Sequence, residues 1–144
     1  MSVFAHIDER LEQFAAAQHT VLTRNRKGFS DFEERRIDWQ RDGFNLAVII
    51  QPTFELKGVD TSKWNVRVVA WKNISSGSGR LAVGQDLVVG RPFPEIEARI
   101  DELLDEAGTY LNSLHSRDLK PMINLHHQRE VRRQRTERRQ KGPE

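Results

Sequence analysis

Four charged residues have types and spacing that could do chemistry: Asp38 or Asp42, followed by Glu55 and Lys57. Carboxylates on neighbouring strands can hold a divalent cation against a scissile phosphate, and a lysine beside the second one can orient water or offset developing charge. Other reactive groups are sparse. The chain has no cysteine, which removes thiolate nucleophiles, thiolate metal ligands and disulfides together. No Gly-x-Ser-x-Gly elbow occurs. The histidines, His6, His19, His115, His126 and His127, lack the three- or four-residue helical spacing that aims two imidazoles at one ion. The run Ser75-Ser76-Gly77-Ser78-Gly79 has neither the lysine nor the following helix of a phosphate loop and reads as a turn.

Charge supplies a second signal. Between His126 and Glu144 stand seven cations, Arg129, Arg132, Arg133, Arg135, Arg138, Arg139 and Lys141, against three glutamates. The whole chain carries +2, so the tail is at +4 and the remainder at −2. A mildly acidic body argues against nucleic-acid binding by the whole surface and moves electrostatic function to the tail. Guanidinium forks match phosphates and carboxylates, so an anionic partner is expected there, either nucleic acid or an acidic protein surface. The pairs Arg133/Glu137 and Glu137/Lys141 favour a helix, but without an apolar stripe an isolated helix of this length is marginal in water. The tail is therefore expected to be helical or disordered.

The elements that must position these residues follow from periodicity. A length of 144 residues suits one core, and the expected division is a single α+β domain over 1–125 and the Arg-rich tail over 126–144. Phe4, Ile7, Leu11, Phe14, Val21 and Leu22 step by threes and fours through an alanine-rich stretch, which predicts an N-terminal helix capped by Ser2 and stopped at Gly28. Phe32 to Arg41 reads as a strand with Ile37 and Trp39 inward, and Asp42-Gly43 as the two-residue turn into the strand Phe44–Gln51. Pro52 marks a bulge or edge, Phe54-Glu55-Leu56 extends the strand, and Lys57 to Lys63 is expected to be a polar loop. Trp64 to Trp71 and Leu81 to Val89 complete four strands, the last with a bulge or break at Gly84-Gln85-Asp86. Pro94 and Glu95 open a second helix whose apolar stripe is Ile96, Ile100, Leu103, Leu104, Ala107, Leu111 and Leu114. The predicted fold is an α+β, four-stranded antiparallel meander, with both helices on one face and a basic C-terminal tail.

The Asp38 or Asp42 to Glu55-Leu56-Lys57 arrangement is similar to that of metal-dependent nucleases of the PD-(D/E)xK type, and the resemblance implies Mg²⁺ ligation by those carboxylates. It covers only this short stretch. No proline precedes either aspartate, Pro52 interrupts the strand, and E-x-K arises readily at a solvated strand end. The preferred reading is a non-enzymatic binding or assembly protein that uses a sheet face or edge for a protein partner and the tail for an anionic one. It needs no cofactor. A nucleic-acid-binding accessory factor acting through the tail is a further alternative. Trp64 and Trp71 are out of phase on one strand, so one of them is expected on the open face of the sheet, which makes that face a contact surface. No apolar run is long enough to span a membrane and the first residues do not read as a secretory signal, so the expected location is cytoplasmic, without a membrane partner.

Because no apolar face links the tail to the core, deleting residues 126–144 is expected to leave the cooperative melt within a few degrees of the full chain. A large drop in melting temperature by circular dichroism would show that the tail packs.

Overall fold

The computed structural model describes residues 2–25, 32–73 and 79–122. Six strands form one antiparallel sheet in chain order: β1 (Leu22–Arg24), β2 (Arg35–Arg41), β3 (Phe44–Glu55), β4 (Gly58–Asn73), β5 (Arg80–Arg91) and β6 (Lys120–Met122). Three helices, α1 (Asp8–Ala17), α2 (Phe93–Ala98) and α3 (Ile100–Asn112), pack on one face. Period-two alternation builds the centre: Phe44, Leu46, Val48 and Ile50 on β3 and Trp64, Val66, Val68 and Ala70 on β4 are all buried beneath the helices. Val48 lies opposite Val68 and Leu46 opposite Ala70, so the two apolar rows meet in register. Asp42 and Gly43 have φ of 54° and 82°, the pair of positive values that a tight hairpin needs, and Arg41 faces Phe44 directly.

The sheet has six strands rather than four. The two additional strands are three residues each and sit at the edges, β1 on β2 and β6 on Arg80–Ala82 of β5. Three residues carry no readable alternation. Leu22 therefore belongs to β1, not to the N-terminal helix, and Val21 is 76% exposed. The helix ends at Ala17, well before Gly28. His19 adopts φ 60° while its N–H donates to Ala16 O and that of Thr20 donates to Ala15 O. That pattern is the left-handed termination usually given to glycine.

Lys57 to Lys63 is not a loop. β4 begins at Gly58, where φ is 132°, and Thr53, Phe54 and Glu55 pair with Asp60, Val59 and Gly58. The register shift expected near Pro52 falls between Pro52 and Thr53. β5 is one unbroken strand, and its irregularities lie beyond Asp86, opposite the Trp64–Arg67 stretch of β4, rather than at Gly84. The second helix is split at Arg99 (φ −109°), yet its apolar stripe from Ile96 to Leu114 is buried throughout. Among the described residues no helix is long and apolar enough to cross a membrane.

One charged contact fixes the helical layer. Arg35, on the inward face of β2, is 4% exposed. Its Nε donates to Asp8 Oδ1 at 2.7 Å and its Nη2 to Asp8 Oδ2 at 3.1 Å, while Nη1 donates to Glu34 O at 2.9 Å. The guanidinium also lies 4.3 Å from the centroid of Phe4, which meets Trp64 and Phe93 edge-on at 5.5 and 5.1 Å. At the other end of β2, Arg41 Nη2 donates to the carbonyls of Leu111 and Leu114 at 2.7 and 3.1 Å, placing a cation on the negative end of α3.

Asp8→Ala is expected to lower stability by about 3–5 kcal/mol in urea titration, because it strands a buried guanidinium, whereas Arg35→Met with Asp8→Ala should recover much of that loss. A single-variant loss below about 1 kcal/mol would show the pair to be solvent-screened.

Candidate functional site

The face of the sheet turned away from the helices carries Arg36, Asp38 and Gln40 from β2, Asn45, Ala47 and Ile49 from β3, Arg67, Val69 and Trp71 from β4, and Ala82, Gly84 and Asp86 from β5. The register puts Arg36, Ile49, Arg67 and Asp86 in one row, and Asn45, Trp71 and Ala82 in another. Ala47 stands between those rows. It is 0% exposed although it belongs to the face turned away from the helices. Arg36 and Trp71 are its diagonal neighbours, and the guanidinium lies 5.6 Å from the Trp71 ring centroid.

Trp71 is the shared wall of two cavities. The first, about 180 Å³, is lined by Arg36, Arg67 and Arg80 together with Ile49, Val69 and Ala82. The second, about 490 Å³, is polar: Asp38, Gln40 and Asn45 on the strands meet Gln18, His19 and Thr20 from the turn that ends α1. Gln40 Nε2 donates to Asn45 Oδ1 at 3.0 Å, and Thr20 Oγ1 donates to the Asp38 carbonyl at 2.7 Å. Arg36 Nε donates to both carboxylate oxygens of Asp38 at 2.9 Å, and Arg67 lies 3.3 Å from Asp86. Among the described residues Arg80 has no acidic partner.

A second surface lies at the sheet's edge. β6 pairs only with Arg80–Ala82, so among the described residues the outer edge of β5 from Val83 onward has no strand beside it. Between this edge and α3 runs an open groove of about 800 Å³, lined by Gln85 and Leu87 on one side and by Glu102, Asp105, Glu106, Thr109 and Tyr110 on the other. Glu102 lies 3.4 Å from Arg99, while Asp105 and Glu106 have no ion pair among the described residues. Burial, with the negative charge of Asp118 adding to it, pushes the Tyr110 hydroxyl above its ordinary pKa, so it remains a neutral donor through the physiological range.

The residues singled out for metal chemistry do not converge. Asp38 is held by Arg36 in the middle of β2, and Asp42 sits in the hairpin turn beside Arg41 at 2.8 Å. Glu55 is at the far end of β3, 3.8 Å from Lys63, and Lys57 lies in the next turn. Asp38 pairs with Ala47, and at about 3.3 Å per residue the path from there to Glu55 spans roughly 26 Å. One ion cannot bridge that gap. Among the described residues no three His, Asp or Glu side chains are grouped to hold a metal. Arg129, Arg132, Arg133, Arg135, Arg138, Arg139 and Lys141 lie outside the described residues. Nothing in the sequence by itself marks the arginines around Trp71 as a group. Their period-two spacing from core residues was visible, but their convergence depends on the register between strands.

No protein-family model, curated protein or solved structure matches this chain.

Trp39 and Trp64 are 8% and 4% exposed and face the core, whereas Trp71 is half-buried on the open face. Acrylamide is therefore expected to quench chiefly Trp71, and Trp71→Phe should remove most of the quenchable emission. Unchanged quenching in that variant would show the face to be covered.

Proposed function

We propose that this is a non-enzymatic binding protein that recruits a protein partner by strand addition at the open edge of β5, while the Arg-rich tail serves a separate anionic contact. The observation that carries the reading is an edge that no strand pairs among the described residues, beside an acidic groove. The pairing of β6 with β5 ends at Ala82, and the pairing of β5 with β4 stays regular from Arg80 to Asp86, so Val83–Asp86 offers a regular row of main-chain donors and acceptors. An added strand would turn every second side chain toward α3, against Glu102, Asp105 and Glu106. Those carboxylates select basic side chains, and Leu87 and Tyr110 supply apolar surface for their stems. A second copy of the chain is a poor occupant. Pairing two β5 edges would bring two acidic rims together, and like charges disfavour it.

Strand addition has a distinctive signature. A labelled octapeptide of alternating lysine and valine, titrated into the full chain by fluorescence anisotropy, is expected to bind. N-methylation of its amides in one parity should weaken binding at least tenfold while the other parity is tolerated, because only alternate N–H groups face the recipient strand. The double variant Glu102→Gln, Glu106→Gln should weaken it as well. Equal affinity for all three peptides, or tighter binding of a glutamate–valine peptide, would overturn the proposal.

A further inference from the structure

On the opposite face of the sheet, and independently of the β5 edge, we infer a binding site for single-stranded nucleic acid, in which Trp71 is the stacking platform and Arg36, Arg67 and Arg80 contact the phosphates. The arginine-lined cavity of about 180 Å³ is smaller than the roughly 300–1,000 Å³ of sites that enclose a whole small molecule. It suits one unit of a longer ligand. The cavity of about 490 Å³ also borders Trp71 and gives the neighbouring unit a place, so two successive units of the strand can both reach the indole.

The chemistry of the two cavities differs as a nucleotide's parts do. Arginines line one, and their forks fit phosphate oxygens while their planes stack on bases. Amides of Gln18, Gln40 and Asn45 line the other, together with His19, Thr20 and Asp38, whose carboxylate is taken up by Arg36. The hydrogen bond from Gln40 to Asn45 fixes both side chains and leaves Gln40 Oε1 and the Asn45 amide hydrogens for the edge of a base. Asp38 and Asp86 offset Arg36 and Arg67, and Arg80 leaves the face with a net positive charge. The carboxylates of an acidic peptide could satisfy the arginines but have no planar ring to stack on the indole, which every nucleotide carries beside its phosphate. A duplex hides its bases from a flat sheet, which leaves the single strand as the form that fits. Met122 pairs with Arg80, and the seven cations Arg129 to Lys141 come later in the same chain.

The test titrates the full chain with labelled oligothymidylate, oligouridylate and a duplex at several salt concentrations. Single strands should bind and quench tryptophan emission, with the quenching lost in Trp71→Ala. That variant should weaken single-strand binding about tenfold or more and leave duplex binding unchanged. Trp71→Phe, which keeps an aromatic face, should stay near the parent and so separates stacking from misfolding. The slope of log affinity against log salt changes by about 0.7 for each single-strand phosphate contact, so Arg67→Gln and Arg80→Gln should each flatten it by about that amount. Replacing Arg132, Arg133, Arg138 and Arg139 by Gln should weaken single strand and duplex alike. No single-strand binding at low salt, equal loss for single strand and duplex in Trp71→Ala, or an acidic peptide binding in place of the oligonucleotide would each overturn the inference.

Discussion

The contact between Arg35 and Asp8 is the constraint on which the arrangement of layers depends. A guanidinium on the inward face of a strand must have its donors satisfied, and here Asp8, the Glu34 carbonyl and the Ser2 hydroxyl accept them. Asp8 opens α1, so the first turn of the helix is fixed against the start of β2. Phe4 beneath the guanidinium brings in Trp64 and Phe93, which ties β4 and the start of α2 to the same point. A buried ion pair contributes little net stability compared with a well-packed apolar replacement. What it supplies in this protein is position, because a shift of α1 along the sheet would leave a buried charge without its partner.

Arg41 does the corresponding work at the other end of β2. By donating to the carbonyls of Leu111 and Leu114 it holds the C-terminal end of α3 beside the hairpin turn. With Leu103, Leu104, Ala107 and Leu111 buried beneath it, α3 turns Glu102, Asp105 and Glu106 toward the edge of β5. The acidic groove therefore results from how the helix packs. The same packing draws all three helices to one side and leaves Trp71 and its arginines on the other.

The open face is partly self-covering. Arg36 and Trp71 stand diagonal to Ala47, which is itself 0% exposed, so a larger residue there would press on its neighbours. Gly84 next to Val69 is similarly constrained, since a Cβ there would lie 3.1 Å from the Val68 carbonyl oxygen. Small residues at the centre thus leave room for the long side chains of the same face, which line the cavities that share Trp71.

Local periodicity made much of the fold legible in the sequence. Alternation marked β3 and β4 and their inward rows, Asp42-Gly43 marked the hairpin, and three- and four-residue steps marked the stripe from Ile96 to Leu114, because each pattern is complete within one element. The strand count was not legible, since β1 and β6 are held by neighbours distant in sequence. Nor was the end of α1, where His19 takes a conformation that two main-chain hydrogen bonds support without glycine. Parity alone could place Trp64 and Trp71 on opposite faces. Bringing Arg36, Arg67 and Arg80 around Trp71 took the register of four strands, and separating Asp38 from Glu55 took the antiparallel course of β3. The sequence determined which residues alternate along each strand, and the tertiary structure decided which of them meet, because cross-strand register follows from turns, bulges and helix packing acting together.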